Sequence, residues 1–344
     1  MLAKEDKVAF KHPLAKKRRL TLILLPVLLI IVSIGSLMLG QVSFSVTEVF
    51  QGIFSTEDTM ARRIVWEIRL PRILIAIIVG VCLAISGAIL QGIMQNPLAD
   101  PGVIGITSGA GIMAVLVMVV FPGYMIYLPI AAFMGAFVAA MVVYTLSIKK
   151  GGTSPMRIVL VGVAVNAICG AGTNTMMILF SDRVQVVLPW LAGGIAGVGW
   201  VQFNNIAIYT VCALVLSLFA IKHIRIMRLG DEMAKLLGHN VERSRLFLIV
   251  LSTLLAGIAV SVAGLVGFVG LVVPHILRLI IGGDYKYLIP ASAFGGALLV
   301  VFADTIARSA FNPTEIPVGI LLAFIGGPYF LYLIHRKGNS IASS

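Results

Sequence analysis

The sequence predicts an all-α, polytopic membrane protein with about ten transmembrane helices in a single membrane domain. Three observations carry this. Of the 344 residues, 59% are hydrophobic and only 12% are charged, and the mean hydropathy is +1.05. The apolar residues fall into ten long stretches, each near the roughly 20 residues a helix needs to cross a bilayer core. Backbone groups in lipid must bond within their own segment, so helices are the spanning form these stretches can take.

The elements follow in chain order. Residues 1–19 are a basic amino terminus ending in Lys16-Lys17-Arg18-Arg19, and the first span covers 20–40. Its apolar run is too long for a signal peptide and has no small-residue cleavage site before Gln41, so it reads as a retained anchor. Ser45-Val46-Thr47-Glu48 has the S-x-x-E capping-box pattern, and Val46, Val49, Phe50 and Ile53 form an apolar face, predicting a short interfacial helix. The second span, 70–94, opens at Arg69-Leu70-Pro71-Arg72, with Pro71 in the favoured first turn. A turn at Asn96-Pro97-Leu98 leads to spans at 102–121 and 125–148. A second turn, Thr153-Ser154-Pro155-Met156, leads to the fifth span, 156–180, which carries the polar residues Asn166, Thr173 and Asn174. The sixth span is 203–221, and the polar loop 221–245 follows it. The next two spans, 246–262 and 265–281, are split by a run in which Gly264, Gly267 and Gly270 recur every three residues. Spans at 288–307 and 316–334 and a tail at 335–344 complete the chain.

Charge orients the bundle. The alternate segments 1–19, 95–101, 149–157, 221–245, 278–286 and 335–344 hold 20 of the 26 Lys and Arg residues. The opposite side holds Arg62, Arg63, Arg69, Arg72, Arg183 and Arg308. The positive-inside rule therefore places both termini and the 221–245 loop in the cytoplasm. The net charge of +12 reflects this topology and anionic lipid headgroups, with no nucleic acid partner implied. Cys82, Cys169 and Cys212 all lie in predicted spans without a C-x-x-C pair, which excludes a disulfide scaffold. Spans 70–180 and 246–334 form two groups of four that start on opposite sides, the arrangement of an inverted repeat. There are 35 glycines, about 10% against an average near 7%. Gly105/Gly109 and Gly193/Gly197 have the G-x-x-x-G spacing that lets helices approach closely.

The energy source is argued from absences in the sequence. No G-x-x-x-x-G-K-[ST] phosphate loop occurs. Ionisable groups at membrane depth are costly and mark ion pathways, yet between Leu70 and Ile281 the acids Asp100, Asp182, Asp231, Glu232 and Glu242 all fall in predicted loops. Asp304 lies within a span near its outer end, and Arg308 four residues later makes a structural ion pair the better reading than a proton site. His12, His223, His239, His275 and His335 are placed at cytoplasmic borders, so they form no relay, and no metal site is expected. The loop supplies a candidate instead. Asp231-Glu232 open a short helix that Gly238 would end. Met233, Leu236 and Leu237 make an apolar stripe on it, suited to a groove on a partner such as a separate ATPase, or to the membrane surface.

Several blocks together resemble the permease subunits of the ABC importer family for ferric siderophores, haem and cobalamin. They are Arg69-Leu70-Pro71-Arg72, GAILQGIMQNPLADPGVIGITSGA, LGDEMAKLLG, GLVGFVGLVVPHILR, ADTIAR and EIPVGILLAFIGGPYF. The blocks lie in that family's order and cover the chain from about Ser43 to Ile334. The resemblance implies a type II importer permease of ten helices, a conduit with no catalytic residues and no cofactor of its own. ATP and Mg would belong to two cytoplasmic ATPase subunits. A second permease, identical or paralogous, and an extracytoplasmic binding protein would complete the assembly in a bacterial cytoplasmic membrane.

Residue roles follow as expectations. Arg69, Arg72 and Arg308 would receive acids of the binding protein; cations at a helix start oppose its dipole, which argues for such a role over lipid contact. Leu229, Gly230, Asp231, Glu232, Met233, Ala234, Leu236, Leu237 and Gly238 would couple to the ATPase. Asn96, Pro97 and Leu98, with Ser154, Pro155 and Met156, would narrow the cytoplasmic mouth as a gate, or serve as plain turns. Asn166, Thr173 and Asn174 would line the pathway or bond to neighbouring helices. Ferric siderophore is the expected substrate, with haem or cobalamin as alternatives. A self-contained carrier or channel is the other functional class, and an embedded enzyme has no paired carboxylates, HExxH or nucleophile–base set to support it.

Overall fold

The computed structural model describes residues 13–55, 57, 59–149, 152–310 and 314–341. The amino-terminal segment up to residue 12, with His12, and residues 342–344 of the tail lie outside the described residues. Among the described residues the main helices, in chain order, are α1 Pro13–Met38 and α2 Val46–Phe54; α3 Met60–Ile93, α4 Ile106–Val120 and α5 Leu128–Leu146; α6 Pro155–Leu179, α7 Val184–Leu191, α8 Trp200–Met227 and α9 Asp231–Leu236; then α10 Val241–Ala263, α11 Val269–Ile281, α12 Tyr285–Ser309 and α13 Val318–Ile341. Among the described residues, seven apolar helices are long enough to span a bilayer, and α4, α11 and the apolar part of α13 are shorter. These ten correspond one to one with the predicted spans, so the protein is an all-helical, multi-span membrane protein.

Burial sets the layers. In α3, 89% of the apolar window is buried, against 17% in α6 and 11% in α1. The helix α3 is thus the axis, packed on α12, α10, α11 and α8, while α6 presents apolar side chains outward. The two four-helix groups use matching partners: α3 packs on α12 as α10 packs on α5. Glycine makes the closest approaches possible. A Cβ on Gly80 would lie 2.2 Å from the Gly296 carbonyl oxygen, and one on Gly296 would lie 2.2 Å from that of Gly80.

The termini of several elements differ from expectation. The second span begins ten residues early, because a π-helical stretch, Arg63–Arg69, runs straight into Leu70. Arg62, Arg63, Arg69 and Arg72 therefore share one helix. The α2 capping box forms, with the Ser45 amide donating to Glu48 at 2.7 Å. The split between the seventh and eighth spans falls at Gly264–Phe268, where Gly264 and Phe268 both have left-handed backbone.

The segment after α6 is the largest departure. The sequence suggests an outer loop, but α7 and the stretch after it pack into the bundle. The amide of Gly194 donates to the Ala263 carbonyl at 2.8 Å, and that of Gly319 donates to the Gly193 carbonyl at 2.9 Å. Non-helical backbone among spans is tolerated when it is buried against protein in this way. Gly193 and Gly197 both have positive φ here, so their spacing marks turns and not a helix-packing face. Gly109 does serve close packing, against Gly135.

Candidate functional site

Side chains predicted to share one side of the membrane meet at one end of the bundle. Arg72, Asp304, Glu315, Arg308, Arg183 and Asp182 pair at one end; Arg225, Asp284, Arg245, Asp231 and Glu242 pair at the other.

At the second end, Asp231 and Glu232 occupy the first turn of α9, where acids complement the helix dipole. Its end is a Schellman motif: the Gly238 amide donates to the Lys235 carbonyl at 2.9 Å and the His239 amide to that of Ala234 at 3.0 Å, with Gly238 at φ +74°. Ala234 is fully buried, whereas Leu229, Met233, Leu236 and Leu237 are exposed, Leu236 to 81%. The result is an apolar stripe held outward on a six-residue helix by a capped turn.

What anchors α9 is Arg245, a residue the sequence marks only as one more cytoplasmic cation. It is 1% exposed, and its Nη2 donates to both Asp231 carboxylate oxygens at 2.8 Å. Its Nη1 donates to the Thr153 carbonyl and hydroxyl, each at 2.8 Å, and to Glu242 at 3.2 Å. Glu242 in turn accepts from the Thr153 amide at 3.0 Å and hydroxyl at 2.8 Å. Gly152 lies so close that a Cβ there would sit 2.5 Å from Glu242 Oε1.

The predicted gate turns take different neighbours. Ser154 caps α6, accepting from the Arg157 amide at 3.4 Å, Pro155 takes the first helical position, and Met156 is exposed. Asn96 Oδ1 accepts from the Leu98 amide at 3.0 Å, closing an Asx turn. Gln95 beside it has left-handed backbone and donates to the Met227 carbonyl at 3.0 Å, which ties that turn to the end of α8. Pro97 lines a cavity of about 290 Å³ with Arg228 and Arg278. Nearby, burial acts to raise the Asp284 carboxyl, but hydrogen bonds from Arg225 and the Lys286 amide outweigh it and hold the group below the usual carboxylate range.

Midway along the bundle, Asn166, Thr173 and Asn174 of α6 line a cavity of about 280 Å³ with Ser108 and Leu265. Asn166 also bonds to its neighbours, donating to the Gly102 carbonyl at 2.9 Å and accepting from Ser108. For Asn166 the reading as a bond to neighbouring elements therefore holds.

At the first end the three arginines do not project into solvent. Arg69 is buried and donates to the Leu37 carbonyl at 2.6 Å and to that of Val42. Arg308 is buried too, donating to the Leu39 carbonyl at 2.7 Å and to the Ser36 carbonyl. Together they hold the loop between α1 and α2. Arg72 pairs with Asp304 through two nitrogens, at 3.0 and 2.9 Å, and with Glu315 at 2.9 Å. Local spacing suggests Arg308 as the partner of Asp304; that contact exists but is looser, at 3.9 Å. His275 is a further correction: it lies buried within α11 beside the Tyr329 ring, not at a helix border. Among the described residues, no group of three or more His, Cys, Asp or Glu side chains could hold a metal ion.

Ten apolar helices packed around α3, with a short helix exposing apolar side chains at one end, make a multi-span membrane subunit. Residues 28–336 match the FecCD transport family, and the chain belongs to that family, whose members are permease subunits and not enzymes. It is 40% identical over 320 residues to the Fe(3+)-citrate import system permease protein YfmE of Bacillus subtilis, covering 93% of this chain and 96% of that protein. It is 39% identical over 326 residues to the hemin transport system permease protein HmuU of Yersinia pestis, again covering 93% and 96%. Among solved structures, one described as an inward-facing conformation and assigned to the metal-chelate type of ABC transporter superposes with a TM-score of 0.82. It is 30% identical in sequence, and the match covers 92% of this chain and 98% of that one.

Proposed function

We propose that this chain is the pathway-forming permease of an ATP-driven importer that carries ferric siderophores across the cytoplasmic membrane, with both termini in the cytoplasm. The observation that carries this is the exposed apolar stripe of Met233, Leu236 and Leu237, with Leu229 just before it, on a helix anchored to the bundle through Asp231. Two ATPase subunits, which would hold ATP and Mg, dock there. Gly230, Glu232, Ala234 and Gly238 shape the same segment. A second permease packs against this one, and the sparsely buried α6 supports a pathway between them, lined by Asn166, Thr173 and Asn174. Two Bacillus subtilis relatives, YfmE and YfmD, are both permeases of one Fe(3+)-citrate import system, which favours a paralogous partner. The gate is assigned to Asn96, Pro97 and Leu98 with Ser154, Pro155 and Met156.

An extracytoplasmic binding protein docks at the opposite end. Arg69, Arg72 and Arg308 act there in a changed form: three cations against Asp304 and Glu315 leave one positive charge in excess, and the arginines hold the docking loops in shape. Siderophore is proposed on the relatives named for Fe(3+)-citrate, for siderophore and for Fe(3+)-hydroxamate; haem and cobalamin, for which relatives of similar identity are named, are the alternatives that uptake separates.

Uptake tests the reading. Cells carrying this chain and its partners are offered ferric citrate, a ferric hydroxamate, haemin and cobalamin. A ferric chelate should be taken up best. Uptake should stop when ATP is depleted with the proton gradient held, and persist when the gradient alone is collapsed. The opposite energy pattern restores the secondary carrier.

A further inference from the structure

We infer that Arg245 is the positioning residue that makes the coupling helix and the inner end of α6 move as one piece, so that force on α9 reaches the pathway. The inference rests on the importer reading above and deepens it.

The geometry is specific. One guanidinium grips two segments that no covalent turn connects directly. Its Nη2 face is spent on Asp231, the first residue of α9, and its Nη1 face on Thr153, which is followed at once by the Ser154 cap of α6. Glu242, one turn earlier on α10, closes the arrangement by accepting from both the Thr153 amide and its hydroxyl. The residues joined are far apart in sequence, 92 positions between Thr153 and Arg245 and 14 between Asp231 and Arg245.

Three features favour transmission over plain stability. Within α9 only Ala234 is buried, so the Asp231 contact is the main directional hold on that helix. In α6 the buried residues, Ile158 and Gly162, both lie in the first two turns, so the end next to Thr153 is the part of the helix seated against the bundle, and a displacement of Thr153 is passed into that packing. The link itself is stiff: a planar guanidinium making paired, charge-assisted hydrogen bonds from a buried position keeps both partners in fixed orientation. A lysine there would present one ammonium, too compact to satisfy both sides.

The test measures substrate carried per ATP hydrolysed in proteoliposomes holding the full complex, using whichever of the four chelates the wild type carries best. Arg245→Gln, assayed in complexes purified through the ATPase, should lower the ratio at least tenfold. Arg245→Lys should be intermediate, and Thr153→Val, which removes only the hydroxyl, should lower it two- to threefold. A merely structural role would reduce uptake and hydrolysis together and leave the ratio fixed, and that result overturns the inference. Should Arg245→Gln fail to insert, an unchanged ratio in both milder variants overturns it equally. Failure of the importer reading is distinguishable, because there the wild type itself would recover no ATPase.

Discussion

Ser86 and Ser252 clasp each other at the centre of the bundle. Their hydroxyls lie 2.7 Å apart, Ser86 donates to the Ser252 carbonyl at 2.8 Å, and Ser252 reaches the Ser86 carbonyl at 3.3 Å. One sits on α3 and the other on α10, the first helices of the two four-helix groups. Reciprocal contact between residues 166 positions apart is what a local two-fold relation between the groups produces. The short helices repeat the pattern, since α4 starts from left-handed Gly105 and α11 from left-handed Phe268.

This clasp makes a quantitative prediction. Interhelical hydrogen bonds in membranes average about 0.6 kcal/mol. Ser86→Ala and Ser252→Ala should each lower stability by about 1 kcal/mol, and the double variant should cost less than the sum by about 0.5 kcal/mol. Unfolding in mixed detergent, run as a double-mutant cycle, measures this. Strict additivity removes the coupling.

The glycine contact between α3 and α12 should tolerate nothing larger. With 2.2 Å between an added Cβ and the facing carbonyl oxygen, backbone would have to move. Gly80→Ala and Gly296→Ala should each destabilise by about 1–3 kcal/mol, the usual cost of overpacking. Gly35→Ala, with nothing within 4 Å of the added carbon, should not. Thermal aggregation midpoints of the three proteins decide it; equal midpoints refute the close approach.

Much of this was legible in the sequence because hydropathy and capping chemistry are local. Ten apolar stretches became ten helices, and Asp231 to Gly238 formed the helix its acids and glycine call for. Long-range pairing was not legible. Asp304 has Arg308 four residues away, yet its better partner is Arg72, 232 positions distant. No spacing rule marks that pair. Burial of Arg69 and Arg308 was hidden for the same reason, since their partners are distant carbonyls at the end of α1 and in the loop after it. The inward course of residues 184–199 was missed because its backbone is satisfied by Ala263 and Gly319, which a window of neighbouring residues cannot reveal. Arg245 looked like topology alone until its three partners met around it.

The exposed face of α9 can be altered without touching the bundle. Leu236 and Leu237 are exposed to 81% and 64%, so replacing both with Asp removes no internal packing. The double variant should insert and unfold like wild type, lose the ATPase on purification, and support less than a tenth of wild-type uptake. Wild-type uptake by the soundly inserted variant would falsify the docking assignment.

The cation cluster at the opposite end yields the last expectation. Asp304 is almost fully buried between Arg72, held through two nitrogens, and Arg308, 3.9 Å away. Removing one partner of a buried pair leaves an uncompensated charge and costs about 3–5 kcal/mol. Asp304→Asn should therefore be severe, because both cations lose their counter-charge together. Glu315 still faces Arg72 but is partly exposed, so it compensates weakly. Adding Arg72→Gln to Asp304→Asn removes the better-placed cation and restores hydrogen bonding between two neutral amides. The double variant should recover more than half of the lost stability. Adding Arg308→Gln instead should recover less, because Arg308 also holds the Ser36 and Leu39 carbonyls and its loss frees the loop before α2. Unfolding midpoints for the three proteins order these alternatives. Better rescue by Arg308→Gln than by Arg72→Gln would mean that the local pair, and not the distant one, neutralises Asp304.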